Sequence, residues 1–429
     1  MSEKFNIEKE NVPITEIQKL KIKNNYINNL KKGIKDLSHL KTYTIDDSDT
    51  LEVDDGISLE RNSNFYKLWI HIASPALLIE YDSDIDRNAR KQISSIYLST
   101  TNIYMFPSDI IDKILSLSSK QKSLSLSLGV TFNNDGSICS SEIVQSLVKS
   151  TYKLTYEEAD ELIDYAPREE DDLNIIYFIL EKRKLWRKKL GAREILESYG
   201  KIVINNNKPY LKVIEQTISR NLISEAMILY GDLLANYTKK YNIPVPYRVQ
   251  ENTFKASNNN NSENIILNNF IVKKNMGKTY YSSIPSAHVS LGLNSYLHAT
   301  SPIRRYADLL VHYQINRFLN NQSLISKKEI DNNIKIINNI GRQNINRYRE
   351  DQKICINKWF ENNLVKKFKV MLLNWLNRNN NICILYFLEY NFSTICNLKS
   401  KLEITVGDEF YIENTTFNYK DILNFKFVR

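Results

Sequence analysis

The sequence predicts an α+β protein in two unequal parts, a large mixed α/β domain followed by a small all-β barrel. Two observations carry this. From residue 366 onward five short apolar runs, VMLL, ICILYFLEY, STICNL, GDEFYIEN and ILNFKFV, are separated by turn residues. Five strands in about sixty-five positions fit a small OB-fold barrel, a common binder of single strands; an appendage that only packs on the main domain fits the same pattern. Before residue 366, strand-like runs alternate with longer stretches of helical spacing, as a mixed domain requires.

In chain order, residues 14–36 set Ile14, Ile17, Leu20, Ile22, Ile27 and Leu30 among lysines, a loose helical period expected to pack by one face. Residues 43–72 read as a strand (YTI), a carboxylate-rich loop and a hairpin (GISLE, FYKLWIHIA). A short helix (DIDRNARKQ), an extended SSIYLSTTNIYMFP stretch and further strands are expected over 84–150, helices over 155–190, and long helices from 326 to about 364. SNNNNSEN at 257–264 reads as a surface insertion. The expected units are a basic N-terminal helical segment, 1–37, a main domain, 38–364, and the barrel, 365–429.

A net charge of +9 and a pI near 9.0 favour a polyanionic partner, although abundant Lys and Asn also fit a general compositional bias. Cys139, Cys355, Cys383 and Cys396 have neither CxxC nor His-paired spacing, which argues against zinc and against a disulfide framework. With a polar N-terminus and no apolar run of membrane length, a soluble, cytoplasmic protein is expected.

The chemistry-bearing segment is YTIDDSDTLEVDDGIS, which places Asp46, Asp47, Asp49, Glu52, Asp54 and Asp55 in ten residues. Carboxylates this dense repel one another unless protonated or bound to a cation, and hard oxygen donors favour magnesium, manganese or calcium. The spacing does not match a calcium-binding EF-hand loop, which leaves magnesium preferred over calcium. A solvated acidic turn is the plain alternative.

A second segment, TSPIRRYADLLVH, reads as a helix start with Ser301 as N-cap, Pro302 in the first position and Arg304 and Arg305 in the first turn. Basic residues there oppose the helix dipole, so an anion-binding role is more economical than a stabilising one. A surface arginine pair is the alternative.

Together these segments resemble the catalytic RNB domain of the ribonuclease II/ribonuclease R family over about residues 38–362. TIDDSDTLEVDDGIS is similar to the family's metal loop, SSIYLSTTNIYMFP to its S-x-Y-L stretch, ISEAM to its EE-x-M helix and YLHATSPIRRYADLLVH to its arginine motif. The resemblance implies an RNB-type domain followed by an S1-like barrel, in a short form lacking the usual N-terminal cold-shock domains. It implies a monomeric 3′-to-5′ exoribonuclease, away from membranes, that hydrolyses single-stranded RNA to nucleoside 5′-monophosphates by a two-metal-ion mechanism using Mg2+, with Mn2+ a substitute.

Carried over residue by residue, the resemblance assigns Asp46, Glu52, Asp54 and Asp55 to the metals, with Glu52 standing where the family has aspartate. It assigns Tyr97 to stacking on the terminal base and Arg304, with Arg305 beside it, to the phosphate. The late-helix family glutamate has Glu350 as its nearest candidate, although strict alignment on Trp359 places Lys353 closer. A catalytically weakened RNB-fold RNA-binding protein is the alternative from another class.

Overall fold

The computed structural model describes residues 15–31, 34–62, 65–193, 198–205, 208–251, 264–363, 366–399, 403–416 and 423–428. The expected insertion at 257–264, apart from its last residue Asn264, and the expected boundary at 364–365 lie outside the described residues. The main domain is built on a seven-stranded sheet in the spatial order Lys35–Asp36, Ile138–Val148, Ser123–Phe132, Phe65–Ala73, Asp55–Asn62, Thr42–Ile45, Ser150–Leu154.

The strand SLSLSLGVTF shows how both faces are filled. Its Leu126 and Leu128 join Ile57, Leu59, Leu68, Ile70 and Ile72 in one apolar layer, covered by the helices Tyr156–Tyr165, Asp172–Lys189 and Ile218–Lys240. Its serines point to the opposite face, as the pleat requires, and that face is also buried. There the polar groups satisfy one another. Ser58 lies 2.9 Å from Thr42 and 2.9 Å from His71 Nε2, His71 Nδ1 lies 2.7 Å from Ser127, and Ser146 bridges Ser125 and Ser127. Burial lowers the His71 pKa to about 3, so the ring is neutral and uses one nitrogen as donor and the other as acceptor. His71 is thus a packed, structural histidine.

Two buried ion pairs lock the helices over the sheet. Arg187 is bidentate to Glu225 at 2.8 and 2.5 Å, and Arg183 meets Asp232 at 2.8 Å. Glu225 belongs to the ISEAM segment, so the acid of that motif serves helix packing. Farther along, Tyr306–Asn316 is buried without interruption, and the single helix Lys327–Glu361 replaces the several long helices expected. Ser326 and Glu329 form its capping box.

The carboxyl-terminal runs form a closed five-stranded barrel in which Lys367–Asn377, Ile382–Phe387, Phe392–Lys399, Leu423–Val428 and Glu409–Thr416 follow one another around the wall. The third and fifth strands in chain order pair in parallel and every other pair is antiparallel. The end of the long helix is built into this barrel core through Cys355, Trp359 and Phe360. The amino-terminal helix Glu16–Lys31 packs by one face. It does so through Ile22 and through Asn25 and Asn29, which donate to the Leu78 and Leu77 carbonyls, while Ile17, Leu20, Ile27 and Leu30 stay exposed.

Removing one partner of the Arg187–Glu225 pair strands a charge in the core. Glu225→Ala is expected to lower unfolding free energy by about 3–5 kcal/mol, measured by chemical denaturation. A loss under about 1 kcal/mol would show that the pair does not lock the helices.

Candidate active site

The acidic loop joins the strand Thr42–Ile45 to the strand Asp55–Asn62 at one end of the sheet. Pairing of the flanking strands turns several of its carboxylates inward, with Glu52 and Asp54 buried. Asp54 is held most firmly. Its Oδ1 accepts from the Ile303 backbone at 3.0 Å, its Oδ2 from Arg304 Nε at 3.2 Å, and its carbonyl from Ala73 N. Burial nevertheless raises its pKa to about 8, against the lowering effect of Arg304.

Asp46 has a buried Oδ2 without a hydrogen-bond partner. Burial, then the charges of Asp55 and Asp54, raise its pKa to about 8. Burial likewise raises Asp55 to about 6, against Arg304 and Arg305. Glu52 is engaged elsewhere: Ser95 Oγ donates to Oε1 at 2.6 Å and the Tyr97 hydroxyl to Oε2. Its pKa is raised, by burial first.

The arginine segment reaches this cluster by a different local structure from the one expected. The helix begins at Tyr306, and Ser301–Arg304 forms a separate turn in which Arg304 N and Arg305 N return to the Ser301 carbonyl. Ser301 is therefore not the N-cap, and the arginines precede the helix. Asp308 explains this. Its Oδ2 accepts the Ser301 N–H at 2.9 Å and its carboxylate takes the Arg305 guanidinium, while His312 Nε2 donates to the Ala299 carbonyl at 2.8 Å. The helix thus grips its own preceding turn, which then pairs with the Tyr97 segment through Ser95 N to Arg304 O at 3.0 Å.

Asp46, Glu52, Asp54, Asp55, Tyr97 and Arg304 are brought together, and Arg305 lies behind them, tied to Asp308. Glu350 is not. It is exposed on the long helix, whose inward positions near this point include Asn344, while Asp351 accepts from Ser99 N and Oγ in the Tyr97 loop. Sequence reading also missed Ser95, Tyr156 and Arg220. Arg220 lies 3.8 Å over the Tyr156 ring and pairs with Asp47 at 2.7 Å, and the Tyr156 hydroxyl senses Asp46 and Asp55. Only the fold brings these positions to the loop. Beside Tyr97 and Arg305 a cavity of about 490 Å³ opens, lined also by Arg248, Tyr281, His298 and Tyr348.

Among the described residues no group of three or more His, Cys, Asp or Glu is gathered closely enough to hold a metal ion. Asp54 is turned to Arg304 and Glu52 to Tyr97, which leaves Asp46 and Asp55 as the two neighbouring acids open to a cation. Two carboxylates with an unpartnered oxygen fit magnesium, which is commonly held by one or two carboxylates together with waters and substrate phosphate.

Buried acids at one end of a sheet thus face a guanidinium and a partly exposed aromatic ring. The chain belongs to the RNB domain family, which matches residues 34–321. It is 32% identical over 363 residues to an uncharacterized ribonuclease of Synechocystis, covering 82% of this chain and 54% of the relative. It is 35% identical over 293 residues to the chloroplastic/mitochondrial ribonuclease II of Arabidopsis thaliana, covering 66% and 36%. It therefore spans about half the length, or less, of these curated relatives.

In structure it is similar to Mycoplasma genitalium RNase R in its apo form, with a TM-score of 0.83 at 19% identity over 98% of this chain and 76% of that one. It is also similar to yeast Ssd1, a pseudonuclease, with a TM-score of 0.69 at 15% identity over 90% and 51%. The barrel follows the main domain as expected. No helix among the described residues is long and apolar enough to cross a membrane.

The raised carboxyls give a pH test. An unfolded aspartate titrates near about 3.9, so the stabilising neutral forms are fully present below that pH and are lost as pH rises through about 6 to about 8. In EDTA the melting temperature should fall across that window. Magnesium should restore it increasingly toward the alkaline end, because a cation competes with protons for the same oxygens. Thermal unfolding with and without magnesium measures this, and a pH-independent or absent magnesium effect would contradict it.

Proposed function

We propose that this chain is a divalent-metal-dependent exoribonuclease that removes nucleotides from the 3′ end of single-stranded RNA and releases nucleoside 5′-monophosphates. The observation that carries this reading is the orphaned Asp46 oxygen in a buried carboxylate cluster, beside Arg304 and Tyr97. The family and the names of its relatives agree, and a structure of Mycoplasma genitalium RNase R is of its complex with ribose-methylated single-stranded RNA.

Asp46 and Asp55 would hold magnesium or manganese, with Asp54 available to a second ion under the two-metal scheme. A bound ion would activate water and screen phosphate charge. Arg304, partly exposed and fixed by Asp54, presents its remaining guanidinium N–H groups to phosphate oxygens as negative charge develops. Glu52 orients Tyr97 by accepting its hydroxyl, so that the ring offers a face to the last base without selecting a sequence. Arg305 acts behind Arg304, holding the turn through Asp308. Glu350, the nearest candidate for the late-helix glutamate, is exposed on the long helix, away from the Tyr97 loop that Asp351 touches. The scattered spacing of the four cysteines favours a reducing setting.

A second reading, an RNA-binding protein without catalysis, is favoured by the fold shared with a pseudonuclease and by Glu52 being turned to Tyr97. Incubation of 5′-labelled single-stranded RNA with magnesium or EDTA separates the two. A magnesium-dependent ladder shortening from the 3′ end is expected, abolished in Asp55→Asn and slowed about 10²–10³-fold in Arg304→Ala. Bound but intact RNA with the native protein would establish the non-catalytic reading.

Glu52→Ala should raise KM several-fold more than it lowers kcat, because Tyr97 loses its anchor, while Glu52→Gln retains an acceptor and part of the affinity. Steady-state kinetics on a short oligonucleotide measure the split. Equal loss of kcat in both variants would mean that Glu52 acts at the metal instead.

A further inference from the structure

The hairpin of Tyr199–Asn205 and Lys208–Ile214 has no part in the site just described. Its register sets Tyr199 opposite Ile214, Lys201 opposite Lys212 and Val203 opposite Tyr210. Opposed residues of an antiparallel pair project from the same face, so Tyr199, Lys201, Tyr210 and Lys212 share one side. The other side is used for packing: Ile202, Ile204 and Leu211 join the barrel core, and Gly200 N donates to the Asn391 carbonyl at 2.8 Å. Gly200 permits that approach, since a Cβ there would lie 2.3 Å from the Tyr390 carbonyl oxygen.

Beyond the buried Ile214, the face carrying the tyrosines and lysines has a composition that folding does not require. Tyr199 and Tyr210 are 48% and 43% exposed, and both lysines are exposed. Like charges placed directly across a strand pair are destabilising. Among the described residues Lys201 and Lys212 have no carboxylate partner in an ion pair. An anion laid over them would remove the repulsion. The hairpin adjoins the site, because the long helix that packs against both of its strands also carries Tyr348, which lines the cavity beside Tyr97.

We propose that this hairpin face is a platform for single-stranded RNA upstream of the 3′ end, with Tyr199 and Tyr210 stacking on bases and Lys201 and Lys212 paired with phosphates. The strand passes from it over Tyr348 into the cavity. This rests on the RNA-degrading reading above. Each seven-residue strand is about 23 Å long, enough to engage several nucleotides that a short oligonucleotide bound at Tyr97 would not reach. The chemistry is sequence-tolerant, because every base has a face to stack and every nucleotide a phosphate.

The test compares RNAs of about four and about twenty nucleotides, with binding measured by fluorescence anisotropy in an Asp55→Asn background and hydrolysis measured in the active protein. Tyr199→Ala with Tyr210→Ala is expected to weaken binding of the long RNA about tenfold or more and to leave tetranucleotide hydrolysis unchanged. Tyr199→Phe with Tyr210→Phe should bind as the parent does, which separates stacking from folding. Lys201→Gln with Lys212→Gln should reduce the slope of log K against log salt by about 1.4.

Unchanged affinity for the long RNA in both the alanine and the glutamine pairs would overturn the platform while leaving the catalytic reading intact. Parallel loss on both RNA lengths would also overturn it, as general damage to the site. A parent protein that neither binds nor cleaves RNA would overturn the catalytic reading and the platform together.

Discussion

Several carboxylates are withdrawn from water at one end of the sheet, and the guanidinium that touches them directly, Arg304, makes its contact with Asp54. Desolvation disfavours their charged forms by more than this arginine offsets, and Asp46 keeps an oxygen with nothing to accept from. A fold that only needed to be stable would replace such a cluster by apolar residues. Much of the surrounding structure follows from holding it. Asp54 requires the Ile303 N–H, that N–H requires the turn at 300–305, and the turn requires Asp308 and His312 from the helix behind it.

The same dependence explains the burial of the central helix. Tyr306–Asn316 is enclosed on every side because it must carry the turn on one end while filling the space between sheet and long helix. The long helix in turn connects the cavity beside Tyr97 to the barrel core at Trp359 and Phe360. Site and barrel therefore share one element, and the hairpin of Tyr199–Asn205 and Lys208–Ile214 packs at their junction.

Much of this was legible in the chain itself. The five apolar runs after residue 366 are short strand-like patterns whose turns are determined locally. The acidic loop was legible because its residues are adjacent. Three features were not, each for a physical reason. The helix start at Ser301 was misjudged because a good N-cap residue was outcompeted by Asp308, seven positions away, which captured its backbone N–H. Glu350 differs from Asp351 by one position, a rotation of about 100° on a helix, which separates an exposed residue from one that touches the Tyr97 loop. Arg220 and Tyr156 reach the loop only through the packing of two helices on the sheet, and nothing in their own neighbourhoods marks them.

The central claim is that the buried carboxylates form a cation site centred on Asp46 and Asp55. Titration of the metal-free protein with Mn2+, followed by electron paramagnetic resonance above the raised carboxyl range, tests it most directly. The account predicts saturable binding that is lost in Asp46→Asn, with the variant still folded. Equal Mn2+ binding by the native protein and Asp46→Asn, or none by either, would contradict it.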